Sequence, residues 1–545
     1  MHTQGIYINQ TGYLPGDRKR AVITLPADDF KVVSESGEVK LTGKTEYFGM
    51  DECSGDEVRI ADFSELDQPG KYRIETETKA EKNSSVLFEI SSDCRTNLLD
   101  SVSKAYYYLR CGCGLESKYA GKFVHGKCHC SRAAVWNDKN VELDVSGGWH
   151  DAGDYGRYVT AGACALAHLL YAFKMFPKVF ERQNLNIPES GNGIPDILNE
   201  CRYELEWMLK MQRKDGGVYH KVTTFVHAPF VMPEEDKKQL YVFAVSSMAV
   251  ADFAAVCALA SGIYSAYDKE FAGQLFAAAE LSYKWLEEHP EFIGFANPEG
   301  CNTGLYEEDA DVDNRFWAAA ELYNATGDKK YYRDMKGLLG ADFSVTALGY
   351  GSVGGLGALA YLLGENNRDT DLYRYLKNSF INRAEYFKIV VDESGYSAAM
   401  NPGNFIWGSN MEILKHAMVF VIADYLEKGE RFAPYASAQL DYLMGVNAVG
   451  YSYVTGCGEN AYKNPHLRPA AVDGIEESIP GMVSGGPNRH PVEPGIEEFI
   501  PKGTPPMKCY VDRVECYSLN EITIYWNSPA VFLLAGLVDY DDQNR

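Results

Sequence analysis

The chain has 545 residues, 46% of them hydrophobic and 13% aromatic, which is enough for a large buried core and too many for one small domain. Its formal net charge of −24 at pH 7 repels polyanions, so nucleic acid and anionic membrane surfaces are excluded as partners, while a neutral substrate such as a sugar is compatible. No run approaches the ~20 uninterrupted apolar residues that span a bilayer.

The first twenty residues, MHTQGIYINQTGYLPGDRKR, carry no apolar run behind a basic start, so an export signal is not expected. The thirteen cysteines are odd in number and scattered, as reduced thiols are and a disulfide framework is not. Together these lead to the expectation of a cytoplasmic protein; a secreted protein stripped of its signal is the alternative. Residues 1–92 read as β-rich. AVITL, EVRIADF, GKYRIETET and SSVLFEIS are short β-prone runs split by Gly, Pro and Asp, and about seven such strands predict a small sandwich. Residues 93–545 read as mainly α, with roughly twelve helical segments such as VTAGACALAHLLYAFKMF and NMEILKHAMVFVIADYLEKG. No repeat of solenoid length stands out. Long loops containing Gly, His, Trp and Asp predict a closed ring of helical hairpins with function on one rim. No Pro- or Ser-rich linker intervenes, so the sandwich is expected to pack directly on the helices.

Three carboxylates stand out. In GGWHDAGDYGRYV, residues 147–159, His150, Asp151 and Asp154 fall within five residues and glycines flank the group. Asp and Gly are ordinary turn residues, but Trp149, Tyr155 and Tyr158 make the segment too aromatic for a solvated turn. Glu521 lies in YSLNEITIYWNSPAVFLLAGL, ahead of an apolar helical pattern, where a charge favourable to a helix N-terminus is the competing reading. Cleaving a glycosidic bond with inversion needs one carboxylic acid on the leaving oxygen and one carboxylate on water, roughly 6.5–9.5 Å apart. Distant loops on one rim can supply that separation. A Cys/His cluster precedes the aspartates: Cys111, Cys113, His125, Cys128, His129 and Cys130. Zinc takes four such ligands, yet the spacing is not that of a standard finger, and free thiols are an equal reading. The acidic loop YEEDADVDNRFW offers Glu307, Glu308, Asp309, Asp311 and Asp313, hard oxygens that suit calcium, or else a solvated loop.

Taken in order, DVSGGWHDAGDYGRYV, WAAAELYNATGD, WGSNMEILKHAM, QLDYLMGVNAVGYSYVTGCG, NPHLRP, DGIEESIPGMVSGGPN and YSLNEITIYWNSPAVFLLAG resemble glycoside hydrolase family 9, and IYINQTGYLP resembles the immunoglobulin-like domain that precedes the catalytic module in one of its branches. The resemblance covers essentially the whole chain. It implies an (α/α)6 barrel at 93–545 behind a sandwich at 1–92, and inverting hydrolysis of β-1,4-glucosidic bonds. It implies Asp154 as general base, Asp151 as holder of the attacking water and Glu521 as general acid with a raised pKa. His466, Arg468 and Tyr517 are implied sugar contacts, and Trp407 is a stacking platform or a core residue. Many relatives carry a second His where this chain has Leu467, and Asp-Glu where it has Asp313-Asn314, which removes a charge from the calcium loop. One branch holds structural zinc through residues matching Cys111, Cys128, His129 and His150, which would tie His150, and with it Asp151, to the metal. Cys113, Cys130 and His125 stay unassigned. Four protein ligands leave zinc no open position, which argues against a zinc-dependent hydrolase of another kind. A carbohydrate-binding protein without catalysis would not need both Asp154 and Glu521. No organic cofactor or protein partner is indicated. The expected substrate is a short cello-oligosaccharide, with endo-cleavage of soluble or amorphous cellulose as the alternative.

Overall fold

The computed structural model describes residues 5–78, 81–366 and 369–544. The chain divides into two compact units: Met1–Ala105 with Asn382–Ile522 and Pro529–Arg545, and Tyr106–Ile381 with Thr523–Ser528.

In the first unit the N-terminal strands form two antiparallel sheets. One has the order Ile6–Tyr7, Arg20–Ile23, Glu57–Asp62, Glu46–Met50; the other has Val39–Lys44, Asp29–Ser34, Gly70–Glu77, Lys82–Ser84, with Phe88–Ile90 also paired to Gly70–Glu77. Alternate residues point inward, as a half-buried strand requires: Phe30 and Val32, Tyr72 and Ile74, Phe88 and Ile90 fill the space between the sheets with Ile23, Ala61 and Phe63. The sandwich packs directly on helices of its own unit, as expected. Arg95 bridges Asp17 and Asp541 at 3.1 and 2.6 Å, and Asn9 Nδ2 donates to Asp441 Oδ1 at 2.7 Å.

Twelve α-helices of ten or more residues occur among the described residues, and two kinds alternate along the chain. Val159–Met175, Ser247–Tyr264, Val312–Thr326, Gly354–Leu363, Ser409–Glu427 and Ile524–Gln543 are buried over nearly their whole circumference. Cys94–Tyr108, Asp196–Met211, Lys269–Glu288, Lys329–Leu338, Thr370–Asp392 and Ala433–Leu443 each keep a polar exposed face. A helix apolar all round must be enclosed by others, and an amphipathic one covers it; strict alternation of the two is the pattern of an (α/α)6 arrangement. Ser247–Tyr264 is long and apolar enough to cross a membrane by composition, and 83% of it is buried inside the protein.

One element escaped the sequence reading. A five-stranded sheet in the second unit joins Asp138–Leu143, Ala133–Val135, Tyr241–Val242, Lys221–Thr223 and Arg157–Tyr158. Four of its strands have two or three residues, too short to display a period, and the fifth, Asp138–Leu143, is exposed along nearly its whole length and so shows no apolar alternation.

Burial pushes the Asp441 carboxyl up to about 7, against the hydrogen bond from Asn9 and helped by Asp17. An unfolded aspartate titrates near 3.9. The folded protein therefore holds the extra proton between those values; the stabilisation is full below about pH 3.9 and is lost as pH rises through 7. Asp441→Asn keeps an acceptor for Asn9 and removes the titration. Its stability relative to the parent, followed by melting curves, is expected to improve more at pH 8 than at pH 5, by about 1–2 kcal/mol between the two, less than full burial would give because Asp441 is partly exposed. An equal offset at both pH values would refute this.

Candidate active site and metal centre

The 147–159 loop is shaped by two glycines that no other residue replaces without displacement. Gly147 and Gly148 have φ of +106° and +75°, and a Cβ on Gly148 would lie 2.8 Å from Glu204 Oε2 and from the Trp207 ring. The turn therefore presses backbone against helix Asp196–Met211, where Glu204 Oε2 accepts from Trp149 N at 2.6 Å. On its other side the loop docks on the segment after Cys94–Tyr108: His150 N donates to Leu109 O and Cys111 N to Gly148 O, both at 2.7 Å. The Trp149 ring is buried against Tyr106 at 4.6 Å. The aromatic residues thus anchor the turn, and the carboxylates follow at its tip.

Asp151 is 1% exposed and Asp154 7%. Asp151 Oδ2 accepts from Tyr306 Oη at 2.5 Å, and its Oδ1 is buried with no protein donor. Burial pushes Asp151 well above the usual carboxylate range; the Tyr306 hydrogen bond opposes this, and Asp154 adds to it. Asp154 Oδ2 lies 2.9 Å from His227 Nδ1, a close contact whose angles are not those of a hydrogen bond. Tyr306 has φ of +50°, a left-handed backbone that aims its ring across Tyr158 at 4.6 Å. Tyr306 and His227 were not singled out from the sequence. They lie 155 and 73 residues from their partners, and neither stands in a pattern that announces it.

Cys111, Cys128, His129 and His150 converge: their donor atoms all lie within 4.8 Å of one another, and all four side chains are buried. His129 Nδ1 and His150 Nε2 are 3.3 Å apart, and Cys128 Sγ is 4.0 Å from His150 Nε2. Bonds of roughly 2.0–2.3 Å at tetrahedral angles place donors about 3.3–3.8 Å apart, so the set fits a zinc-sized ion. His129 adopts φ of +47°, which turns neighbouring side chains of Cys128-His129 toward one point. Its other nitrogen, Nε2, faces the buried Asp236 carboxylate at 3.5 Å, the outer partner that fixes a ligating imidazole. Burial pushes the Cys111 thiol up, but a hydrogen bond from the Cys128 thiol, the Arg157 guanidinium and His150 together hold it well below the ordinary range. Cys113 and Cys130 remain outside this convergence, as does His125.

The acidic loop has no comparable convergence among the described residues. Asp311 is paired with Arg315 at 2.9 Å and Asp313 accepts from Val353 N at 2.9 Å. Asn314 Nδ2 donates to Asp252 Oδ1 at 3.0 Å and to Glu308 at 3.4 Å, while Glu307 and Asp309 face solvent. Burial, with Asp252 and Asp313 alongside, pushes Glu308 up to about 10.

In the first unit Glu521 follows the short helix Tyr517–Asn520. Its backbone is held on both sides: Gly485 N donates to Glu521 O at 2.9 Å, Glu521 N donates to Tyr517 O at 3.1 Å, and His466 pairs with it as an isolated bridge. His466 Nδ1 donates to Val514 O at 2.6 Å. Tyr517 stands 5.7 Å from His466 and 5.4 Å from Trp407, ring centre to ring centre. Trp407 is 42% exposed, so it is not a core residue. Arg468 opens the helix Arg468–Val472 and is buried. Glu493, absent from the sequence reading, accepts from Ser518 N and Oγ and grips the start of this segment.

The alternating helices, the β-sandwich and the motifs on which these side chains stand define a carbohydrate-cleaving enzyme: the chain belongs to glycosyl hydrolase family 9, which it matches over residues 96–534, and residues 2–81 match the cellulase N-terminal ig-like domain. It is 47% identical to a cellodextrinase of Butyrivibrio fibrisolvens over 98% of this chain and 100% of that one. Among solved structures, a single mutant of the thermostable endoglucanase from Alicyclobacillus acidocaldarius superimposes with a TM-score of 0.91 at 33% identity, covering 98% of this chain and 100% of that one. A Zn-binding triple mutant of the family 9 endoglucanase J30 superimposes with a TM-score of 0.89 at 34% identity, over 96% and 99%. The fold is thus mainly α, an (α/α)6 barrel behind an immunoglobulin-like sandwich, and the substrate is a carbohydrate.

Proposed function

We propose that the protein is a cellodextrinase that hydrolyses β-1,4-glucosidic bonds of short cello-oligosaccharides with inversion. The observation that carries this reading is the full-length similarity to the Butyrivibrio fibrisolvens cellodextrinase. In the proposed reaction Asp154 takes a proton from water as the water oxygen attacks the anomeric carbon. Asp151, with one oxygen committed to Tyr306, offers the other to that water. Glu521 gives its proton to the departing glucosidic oxygen, and the new end is the α-anomer. His466, Arg468 and Tyr517 contact the sugar, and Trp407 stacks on it.

Structural zinc held by Cys111, Cys128, His129 and His150 belongs to the same proposal; its chemistry there is to bind four protein donors and so hold the loop. The residues themselves then place Asp151 next to the anchored His150. A cytoplasmic setting is supported by thirteen cysteines of which none is in a disulfide. The endoglucanase reading is favoured by the likeness to the Alicyclobacillus acidocaldarius enzyme.

A time course on cellotetraose and on carboxymethylcellulose, following product length and anomer, separates these readings. A cellodextrinase degrades cellotriose to cellohexaose efficiently, acts slowly on carboxymethylcellulose and hardly at all on crystalline cellulose. A steep early fall in carboxymethylcellulose viscosity would make it an endoglucanase, and a β-anomeric product would reject the inverting roles.

A further inference from the structure

Within the second unit a buried ammonium group lies beside the aspartate loop. Lys221 is fully buried on the strand Lys221–Thr223, which pairs antiparallel with Arg157–Tyr158 in the register Tyr158↔Lys221. Its Nζ donates to Asn297 Oδ1 at 2.6 Å, Gly304 O at 2.7 Å and Thr303 Oγ1 at 2.9 Å. These acceptors are uncharged, and they consume the three donors of an ammonium group. Phe243, Phe295 and Tyr158 surround it, with ring centres 4.8, 5.2 and 5.5 Å from Nζ. A charge buried in such surroundings is costly unless something nearby uses it. Burial pulls Lys221 down to about 8, and the groups that oppose this are Cys301 and Asp154.

The same strand ties the neighbouring backbone. His220 Nε2 donates to Leu305 O at 2.7 Å, and Thr223 Oγ1 meets Thr303 Oγ1 at 2.9 Å. Asn297, Thr303, Gly304 and Leu305 are thereby fixed immediately before Tyr306, the residue in left-handed backbone that hydrogen-bonds Asp151.

We propose that Lys221 is a positioning residue for the catalytic carboxylates: its ammonium locks the 297–305 segment that delivers Tyr306 to Asp151, and its positive charge acts on Asp154. The inference rests on Asp154 being the base. The titratable groups around Lys221 are Cys301, Asp154, Tyr158 and the neighbouring His220; those around Asp154 are His227, Asp151, Tyr158 and Lys221. A nearby cation favours the ionised carboxylate, so removing it raises the pH at which the base becomes active.

The test uses the full chain with cellotetraose, and follows kcat, KM, melting temperature and the acidic limb of kcat/KM against pH. Lys221→Met is expected to lower kcat by about 10–100-fold with KM within about threefold, and to move the acidic limb upward. Its effect on kcat should shrink in a Tyr306→Phe background, because both act on Asp151. If Lys221→Met does not fold, Lys221→Arg carries the test: charge kept and donors rearranged, it should lower kcat and leave the acidic limb in place. An unmoved limb in Lys221→Met, an upward limb in Lys221→Arg, or full additivity with Tyr306→Phe overturns the inference. Asp154→Ala is measured alongside. If that variant stays active, the catalytic reading itself has failed; if it is inactive while the lysine variants behave otherwise than expected, only the role of Lys221 falls.

Discussion

Asp154→Ala and Glu521→Gln are each expected to lower turnover of cellotetraose by roughly 10²–10⁴-fold or more while leaving the fold intact, since acid or base assistance alone is worth that much. The structure gives a reason for the fold to survive. Glu521 is tied in through its backbone, to Gly485, Tyr517 and His466, and Gln keeps all of those bonds. Asp154 sits at the tip of a turn whose anchors are Trp149 and the Asp151 N–H to Gly156 O bond at 2.9 Å. Asp151→Asn should be milder, because an amide oxygen still accepts from Tyr306. Circular dichroism separates misfolding from lost chemistry. Near-normal activity in either of the first two variants would reassign the catalytic pair.

Loss of the metal centre is expected to have the next largest effect. Cys128→Ser or His150→Ala should remove zinc from the purified protein and lower its melting temperature, on the order of 5–10 °C, because the free energy of binding a structural ion is folding free energy. Cys111, Cys128 and His129 lie outside helices and strands, so little else holds them in a buried cluster. Activity should fall with stability, since His150 immediately precedes Asp151. Cys130→Ser is the control: this thiol is exposed, stands outside the convergent set, and should alter neither metal content nor stability. Elemental analysis and a melting curve decide the matter. A metal-free parent protein of full stability would reduce the cluster to ordinary thiols.

Much of the fold can be read from local pattern. A helix buried on all sides must be apolar on all sides, as Ser247–Tyr264 is, and an outer helix must carry a polar face, as Lys269–Glu288 does. Strands such as Gly70–Glu77 alternate because one side faces a core. These constraints act within one segment, so composition and period along that segment reveal them. Asp151, Asp154 and Glu521 were legible for a different reason: they stand in long motifs shared with a family, and the candidate zinc set, three of six clustered Cys and His residues together with His150, was picked by that resemblance and not by spacing. Convergence of Cys111, Cys128, His129 and His150 within 4.8 Å is a fact of folding, produced by the φ of +47° at His129 and the docking of His150 on Leu109.

What supports the carboxylates had no local signature. Tyr306 reaches Asp151 across 155 residues, His227 faces Asp154, Glu493 holds Ser518, and Lys221 binds a segment some 80 residues further along the chain. Four of the five strands in the sheet that carries Arg157–Tyr158 and Lys221–Thr223 are too short for any period to appear. Burial periodicity is a property each segment has alone, and so it is written in the order of residues. A hydrogen bond between distant side chains depends on where two separately folded segments come to rest, to within a few tenths of an ångström, and only the packed chain specifies that.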